Sequence, residues 1–369
     1  MSAPRPVPRE LIDASPTVSL EELLRERTAE GTLVETLPDG KVRCHACGHR
    51  CLIPEGMRGV CKVRYNKEGA LRVPRGYVGA LQVDPIEKKP FFHALPGSLA
   101  LSFGMLGCDF HCGYCQNWIT SQALRDSQAV APITELDADS LVQMARKHGA
   151  PVLCSTYNEP LITSEWAVEV FKPAREAGLM TGYVSNGNAT PEVLEYLKPW
   201  VDLYKVDLKG FDDRNYRKLG GVLQNVLDSI ESLHRMGFWV EIVSLLVPGF
   251  NDEPAEIRDI AQFLAGVSVD IPWHVTAFHS DYKMQGTGNT PTRTLLRAAE
   301  IGREEGLHYV YAGNLPGRVG EWEDTRCPSC NATVIRRSGF HVKENRILDG
   351  QCPDCSTPIP GRWRASGVS

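Results

Sequence analysis

The sequence lacks the uninterrupted apolar run of about 18 residues that a membrane-spanning helix requires. Residues 1–16 also lack the apolar stretch of a secretory signal. An excess of basic charge is missing as well, because 40 Lys and Arg stand against 45 Asp and Glu, for a formal net charge of −5. We therefore expect a cytoplasmic protein that neither enters membranes nor binds nucleic acid through its overall charge.

Cysteine, by contrast, is abundant, and eleven of the twelve cysteines fall into three groups with spacings typical of metal ligands. Cys154 lies apart in an apolar stretch, where we expect a small buried side chain. A chain without an export signal keeps its thiols reduced, and 369 residues bury a core without cross-links. The grouping therefore predicts metal sites, with a disulfide framework as the alternative.

The central cysteine group has the spacing of a cluster site with one open iron. In the segment GMLGCDFHCGYCQNW, three and two residues separate Cys108, Cys112 and Cys115. Three thiolates bind three irons of a [4Fe–4S] cubane and leave the fourth iron without a protein ligand. S-adenosylmethionine can chelate that iron, and one electron then breaks its S–C5′ bond to give a 5′-deoxyadenosyl radical. A zinc site completed by His111 or by a distant residue is the alternative.

From about Leu99 onward, short apolar runs alternate with helix-length segments. This alternation predicts an α/β fold with a parallel sheet, which we interpret as a partial (β/α)6-type TIM barrel. An open doubly wound α/β sheet is the alternative. In a barrel, the cysteine loop after the first strand lies at the carboxyl-terminal face, where such folds hold their sites. The six clearest strand candidates and a weaker seventh are residues 98–103, 151–157, 180–186, 202–209, 239–247, 273–278 and 308–313.

The C-terminal cysteines predict a small metal-binding extension after the barrel. Two Cys-x2-Cys turns 21 residues apart are formed by Cys327, Cys330, Cys352 and Cys355. This pattern is typical of a zinc ribbon, in which four thiolates surround one ion tetrahedrally. A rubredoxin-like iron site uses the same geometry and is the alternative.

The N-terminal cysteines predict a second extension, before the barrel. Four thiolates are available from Cys44, Cys47, Cys51 and Cys61, and we interpret them as the ligands of either a structural zinc ion or an auxiliary iron–sulfur cluster. The predicted domains are therefore an N-terminal extension, a core barrel and a ribbon-like C-terminal domain, at residues 1–82, 83–320 and 321–369.

Several stretches together carry a family resemblance. CxxxCxxC with Tyr114 before its last cysteine resembles the motif of the radical S-adenosylmethionine (radical SAM) superfamily. Across about residues 40–360 the chain resembles the pyruvate formate-lyase activating enzyme-like branch and, more narrowly, the radical SAM enzyme of the AmmeMemoRadiSam system. Besides the cysteine loop, the stretches that carry the resemblance are VDPIEKKPFFHALPGS (83–98), STYNEP (155–160), VSNGN (184–188), KVDLKG (205–210), VPGFND (247–252), TAFHSDYKM (276–284) and YAGNLPG (311–317).

The resemblance implies which side chains contact S-adenosylmethionine. Tyr114 would contact the adenine, and Asn158 with Glu159 would bind the methionine amino group, although this chain has Tyr157 and Asn158 where the family usually has glycines. The resemblance also implies contacts from five further residues. From the residue types alone, turn formation, a structural ion pair and an ordinary loop histidine also account for these remaining members of the predicted site. Those members, implied near the ribose or the carboxylate, are Ser185, Asn186, Lys205, Asp207 and His279.

Together these features predict an enzyme that reductively cleaves S-adenosylmethionine at a [4Fe–4S] cluster and uses the resulting radical for hydrogen abstraction. The resemblance implies an electron donor such as flavodoxin or ferredoxin, and a protein substrate that receives a glycyl radical. Radical modification of a small molecule or of another side chain is the alternative. A non-catalytic zinc or iron–sulfur interaction protein is the alternative from another class.

Overall fold

A computed structural model describes residues 20–126 and 131–364 of the chain. Its N-terminal part holds one short helix and seven short strands: α1 (Leu20–Glu26), β1 (Thr28–Glu30), β2 (Val34–Thr36), β3 (Val42–Cys44), β4 (Leu52–Ile53), β5 (Tyr65–Lys67), β6 (Ala70–Pro74) and β7 (Tyr77–Val78). Strands β1, β6 and β5 form one antiparallel sheet, and β2, β3 and β4 form another. Because Cys44 ends β3 and Cys51 precedes β4, the second sheet carries the N-terminal cysteines.

The core is an eight-stranded sheet. Its strands are β8 (Ala80–Pro85), β9 (Leu99–Gly104), β11 (Val152–Ser155), β12 (Met180–Ser185), β13 (Leu203–Asp207), β14 (Trp239–Leu246), β15 (Trp273–Ala277) and β16 (Val310–Gly313), while β10 (Thr134–Glu135) pairs with β7 outside it. The connecting helices are α2 (Trp118–Ser121), α3 (Ala138–Lys147), α4 (Ser164–Glu176), α5 (Pro191–Leu197), α6 (Asp213–Leu219), α7 (Leu223–Arg235), α8 (Pro254–Val267) and α9 (Thr292–Glu304).

Strand order decides between the two predicted architectures. The strands from β9 to β16 pair in parallel and follow one another in chain order, and β8 pairs antiparallel with β9 at one edge. A doubly wound sheet reverses its strand order in the middle, so that alternative is wrong. The α/β prediction of a partial barrel is confirmed, and the weaker seventh strand candidate is present as β16. In this arrangement the carboxyl ends of all seven parallel strands lie at one edge.

Local sequence explains why these elements form. In β13 both faces are buried, as a parallel strand covered on each side requires. Helix α7 buries Val226, Ile230 and Leu233, which recur every three to four residues on one face. Helix α5 begins at Pro191 after Thr190, whose hydroxyl accepts a hydrogen bond from the Val193 amide at 3.2 Å.

The C-terminal part is a three-stranded antiparallel sheet of β17 (Thr325–Arg326), β18 (Thr333–Ser338) and β19 (His341–Asn345). The sequence-based domain limits fall inside elements: residue 82 lies within β8, so the core sheet begins at Ala80. Across the described ranges 20–126 and 131–364, none of the helices combines the length and the apolar character needed to span a bilayer.

Arg337 in β18 fastens the C-terminal sheet to the core. Its fully buried guanidinium donates to the Phe92 carbonyl oxygen and to the Thr325 hydroxyl, both at 2.7 Å, and lies 4.3 Å from the centre of the Phe92 ring. The buried Glu87 carboxylate lies 3.8 Å from Arg337 Nε. The C-terminal sheet thus holds the segment between β8 and β9 through one buried cation.

Replacing this cation should be costly. We expect Arg337→Ala to lower the free energy of unfolding by about 3–5 kcal/mol, because Glu87 is left as a buried charge without its partner. The adjacent Arg336 is exposed and pairs only loosely with Glu344, at 3.5 Å, so Arg336→Ala should change the free energy by less than about 0.5 kcal/mol. Urea denaturation measures both variants, and equal losses would contradict the anchoring role.

His93 makes a second tie between the core and the C-terminal segment. One ring nitrogen, Nδ1, lies 2.7 Å from the Pro360 carbonyl oxygen, and Nε2 lies 2.6 Å from the Tyr311 hydroxyl. A neutral ring satisfies both contacts, with Nδ1–H donating to Pro360 and Nε2 accepting from Tyr311. Complete burial lowers the pKa of His93 to about 4, although the Glu241 carboxylate acts in the opposite direction.

The lowered pKa predicts acid sensitivity. An unfolded histidine binds its proton near pH 6.5, whereas folded His93 resists protonation until about pH 4. Its contribution to stability is therefore complete above pH 6.5 and is lost as the pH falls toward 4, by up to about 3 kcal/mol. Urea unfolding of wild type and His93→Phe across this pH range should show a shallower decline for the variant. Parallel declines would show that another group controls the acid response.

Candidate active site and metal centres

The central cysteines lie in the loop between β9 and α2, at the carboxyl-terminal edge of the sheet. Hydrogen bonds fix this loop: the His111 amide donates to the Leu219 carbonyl oxygen at 2.9 Å, and the Phe110 amide donates to Cys108 Sγ at 3.4 Å. Cys115 Sγ lies 3.2 Å from the Ser121 hydroxyl. Burial raises the pKa of Cys112 to about 12, so a bound metal would be needed to hold it as a thiolate.

A small cavity of about 90 Å³ brings the cysteine loop together with the ends of three neighbouring strands. Cys108, Cys112 and Cys115 line it. The polar residues at or after the strand ends in its wall include Asn158, Glu159, Ser185, Asn186, Asp207 and Lys209. The structure therefore places most of the residues implied near S-adenosylmethionine beside the three thiols.

Glu159 organises this wall from a buried position. Its carboxylate accepts hydrogen bonds from the Ser185 hydroxyl at 2.7 Å and from the Asn186 amide at 2.7 Å, and also from the Leu161 amide at 3.1 Å. Burial raises the pKa of Glu159 to about 8, and the Asp109 carboxylate adds to this effect. Glu159 thereby ties the turn after β11 to the end of β12.

The turn before Glu159 has Tyr157 and Asn158 where the family usually has glycines, and its contacts show how this chain forms the turn without them. Tyr157 adopts a φ of +69°, in the left-handed region that favours glycine. Its backbone carbonyl accepts from the Thr120 hydroxyl at 2.7 Å, and its own hydroxyl lies 2.8 Å from Lys89 Nζ. Asn158 accepts from the Met105 amide at 3.0 Å. These contacts hold a tyrosine in a backbone conformation that glycine adopts without strain.

Two further residues, which the sequence did not single out, tie the cysteine loop to the end of β12. Asp109 is fully buried and accepts from Asn186 Nδ2 at 2.7 Å and from Asn188 Nδ2 at 2.8 Å. Two features of the sequence could have pointed to them: Asp109 is an acidic residue inside the cysteine motif, and Asn188 is the third polar residue of VSNGN. Only the fold shows that they meet.

A larger cavity of about 390 Å³ continues from the cysteine loop along the inside of the sheet. Cys112, Cys115, Tyr114, Lys205 and Asp207 line the end nearest the thiols. Burial acts to raise the pKa of Asp207, but the neighbouring Lys205 and Lys209 ammonium groups outweigh it and hold that pKa below its usual value. Asp207 is thus a fixed negative charge between two cations.

Of the residues that the resemblance implied, His279 is not brought to the site. Its ring is exposed, and its Nδ1 lies 3.5 Å from the Ser280 carbonyl oxygen. It follows β15 in the loop beyond Phe278 and lies outside both cavities. An isolated histidine in a loop carries too little information to fix where its side chain lies.

The two flanking cysteine groups differ in compactness. In the C-terminal group the four Sγ atoms all lie within 4.8 Å of one another, with Cys327 and Cys355 3.5 Å apart and Cys330 and Cys352 3.7 Å apart. Ligand distances of about 2.3 Å in a tetrahedral zinc site put neighbouring sulfurs about 3.8 Å apart. This group therefore fits one tetrahedral ion.

The N-terminal group lies against the core beside the central loop. Burial raises the pKa of the Cys47, Cys51 and Cys61 thiols, to about 11 for Cys61, and a Cys44 thiolate adds to each shift. Buried Arg64 lies 3.7 Å from Cys44 Sγ and pairs with Glu165. Three of the four thiols are thus buried, and Cys51 is partly exposed.

The donor set fits the cofactors that the resemblance implies. Three cysteines from one loop would supply three iron ligands, and the loop contains no fourth cysteine. The Tyr114 hydroxyl is buried and has no hydrogen-bond partner among the described residues, although its ring lies in the wall of the larger cavity. A buried hydroxyl without a partner is costly, so pairing with a bound polar ligand would stabilise it. Fold and site together define an α/β enzyme class that holds a thiolate-bound metal centre at the strand ends.

Comparisons with known proteins agree with this description. The model of the radical SAM superfamily matches residues 104–264. An uncharacterised protein of Methanocaldococcus jannaschii is 38% identical over 316 residues, which are 85% of this chain and 93% of that protein. The chain belongs to the radical SAM superfamily, and it is an enzyme. The alternative of a non-catalytic interaction protein is therefore wrong.

More distant relatives include two activating enzymes. The isethionate sulfite-lyase activating enzyme of Oleidesulfovibrio alaskensis is 26% identical over 44% of this chain and 55% of its own length. The pyruvate formate-lyase-activating enzyme of Staphylococcus aureus is 24% identical over 47% of this chain and 72% of its own length. A solved domain of a pyruvate-formate lyase-activating enzyme from Bacteroides vulgatus matches with a TM-score of 0.38 and 18% identity over 44% of this chain and 98% of that domain.

Proposed function

We propose that this protein cleaves S-adenosylmethionine reductively at a [4Fe–4S] cluster held by Cys108, Cys112 and Cys115, and that the radical abstracts hydrogen from a protein substrate. The observation that carries the proposal is the shared cavity of the three thiols and the polar strand ends of β11, β12 and β13. The bound cluster and S-adenosylmethionine would supply a 5′-deoxyadenosyl radical. Activating enzymes among the relatives support a glycyl radical on a partner protein as the product.

The chain's own residues supply position, charge and exclusion of water. Glu159 fixes Ser185 and Asn186, which line the same cavity as the three thiols. Tyr114 offers a buried ring and an unpaired hydroxyl to an adenine base. The cations Lys205 and Lys209 lie where a carboxylate would bind, with Asp207 as their counter-ion. Prearranged groups of this kind orient the carboxylate and the adenine of a bound ligand in a dry site.

The size of the larger cavity favours a second candidate substrate class. Small-molecule sites typically enclose about 300–1,000 Å³, and the cavity of about 390 Å³ falls in that range. Phe340 of the C-terminal sheet and Lys88 and Lys89 of the segment after β8 close its sides. Both lysines pair with the Asp84 carboxylate, at 2.8 and 3.0 Å, so their positive charge is balanced within the protein. Deuterium transfer into 5′-deoxyadenosine from labelled candidates would distinguish a small molecule from a protein segment.

One experiment tests the proposed reaction. The full chain is reconstituted with iron and sulfide under anaerobic conditions, given S-adenosylmethionine and reduced with dithionite. We expect wild type to form 5′-deoxyadenosine and methionine in equal amounts. The proposal would be refuted if wild type, with its cluster intact, formed no more 5′-deoxyadenosine than a Cys108→Ala/Cys112→Ala/Cys115→Ala variant. Replacing dithionite with reduced flavodoxin or ferredoxin tests the electron donors implied by the resemblance.

The compact C-terminal group is proposed as a zinc site. Because its four Sγ atoms fit one tetrahedral ion, we expect about one zinc per chain, and Cys330→Ser/Cys355→Ser should remove it. Loss of the ion should expose the β17–β19 sheet to protease while the core remains resistant, since the metal contributes folding energy to such small sheets. Iron in place of zinc in the aerobically purified protein would favour the rubredoxin-like alternative.

A further inference from the structure

The N-terminal cysteine group is built differently from the compact C-terminal group. In the part of the chain that the structure describes, no three of the thiols of Cys44, Cys47, Cys51 and Cys61 come within 4.8 Å of one another. A single zinc ion would draw them to about 3.8 Å. A cubane cluster spreads its four thiolates over four irons and holds them farther apart. The wider spacing therefore favours a cluster over zinc.

The surroundings of the N-terminal thiols also suit a cluster. Cys44, Cys47 and Cys61 are buried, whereas two of the C-terminal cysteines are exposed. The Val60 amide donates to Cys51 Sγ at 3.4 Å, and Arg64 lies 3.7 Å from Cys44 Sγ. Hydrogen bonds to the sulfurs and exclusion of water are the protein's means of setting a cluster's potential.

A short path of contacts connects this group with the central site. The Gly48 amide, next to Cys47, donates to the Asn188 carbonyl oxygen at 2.8 Å. Asn188 Nδ2 donates at 2.8 Å to Asp109, the residue that follows Cys108. Gly48 has no room for a side chain, because a Cβ would lie 2.3 Å from Asn188 Oδ1. Two hydrogen bonds thus join the backbone next to Cys47 to the side chain of Asp109, which follows Cys108.

We propose that Cys44, Cys47, Cys51 and Cys61 hold a second [4Fe–4S] cluster, through which electrons reach the central site. The electron path, though not the cluster itself, rests on the proposed function. A low-potential one-electron donor, a protein that carries a reduced flavin, is oxidised by one electron at the second cluster. That electron passes to the central site and is consumed there when the S–C5′ bond of S-adenosylmethionine breaks into methionine and the 5′-deoxyadenosyl radical.

Metal analysis tests the second cluster independently of activity. The full-length Cys108→Ala/Cys112→Ala/Cys115→Ala variant, reconstituted anaerobically, should retain about four irons per chain and give the electron paramagnetic resonance signal of one reduced [4Fe–4S] cluster. Wild type should hold about eight irons. A variant without iron and with two zinc ions per chain would overturn the proposal, whether or not wild type forms 5′-deoxyadenosine.

A ratio of rates tests the electron path. The ratio compares the rate of 5′-deoxyadenosine formation with reduced flavodoxin to the rate with dithionite. In Cys47→Ala/Cys61→Ala this ratio should fall at least about tenfold relative to wild type. The reason is that dithionite, a small reductant, reaches the central site directly, whereas flavodoxin depends on the second cluster. About four irons per chain would show that the central site is intact. An unchanged ratio overturns the electron path. Wild type that forms no 5′-deoxyadenosine refutes the proposed function instead.

A third variant decides the case in which the double variant does not fold. Asn188→Ala keeps every cysteine and removes the side-chain donor to Asp109. It should hold about eight irons and lower the same ratio of rates about threefold or more. If Asn188→Ala holds about eight irons and its ratio of rates equals that of wild type, the Asn188–Asp109 contact has no part in the electron path.

Discussion

Cys112→Ala is expected to lose about four irons per chain and at least about 100-fold of the rate of 5′-deoxyadenosine formation, because a cubane with two protein thiolates is not held in place. Cys112 is buried and lines both cavities, so no neighbouring side chain replaces it. Iron analysis and chromatographic detection of 5′-deoxyadenosine measure the two losses.

Cys154 provides a matched control for this variant. It is equally buried, in β11, but its Sγ packs against Gly182 and lies outside both cavities. Cys154→Ala should keep its iron and its rate within about twofold, and lower the free energy of unfolding by about 1 kcal/mol through lost packing. Equal loss of iron in the two variants would show that Cys112 acts only through folding.

Glu159→Ala is expected to lower the free energy of unfolding by about 3 kcal/mol or more, because three donors lose their acceptor and each buried, unpaired donor costs about 1–3 kcal/mol. The affinity for S-adenosylmethionine should fall at least about tenfold, since Ser185 and Asn186 lose the group that orients them. Urea denaturation and equilibrium dialysis with labelled S-adenosylmethionine measure these effects.

A conservative variant separates positioning from general destabilisation. Glu159→Gln keeps one acceptor oxygen and should recover at least half of each loss. Glu169→Gln on α4 is the surface control, because Glu169 forms an ion pair with the exposed Arg75, and the variant should change the free energy of unfolding by less than about 0.5 kcal/mol. If Glu159→Ala binds S-adenosylmethionine as tightly as wild type, the carboxylate has no part in arranging the site.

The fold and the grouping of the cysteines could be predicted from the sequence because both leave periodic or spaced signals. Alternating strands and helices gave the parallel sheet, and residues 308–313 proved to contain its last strand, β16. Cysteine spacing located the central loop and the compact C-terminal group. Local patterns of this kind depend on neighbouring residues, which the sequence displays directly.

Contacts between distant residues could not be predicted in the same way. Asp109 meets Asn186 and Asn188 across nearly 80 residues, and only the sheet order brings them together. The resemblance implied that Glu159 binds the methionine amino group, and it gave no sign that the same carboxylate accepts from three protein donors. His279 is exposed because its loop turns away from the cavities. Such roles depend on tertiary packing, which spacing along the chain does not encode.

The central claim is that Cys108, Cys112 and Cys115 hold a cluster whose fourth iron is bound by S-adenosylmethionine. Pulsed electron paramagnetic resonance of the reduced full-length protein with S-adenosylmethionine labelled with ¹⁵N at its amino group tests it most directly. We predict a hyperfine coupling between the cluster and the labelled nitrogen that is absent in the Cys108→Ala/Cys112→Ala/Cys115→Ala variant. A reduced wild-type cluster that shows no such coupling under saturating S-adenosylmethionine would contradict the claim.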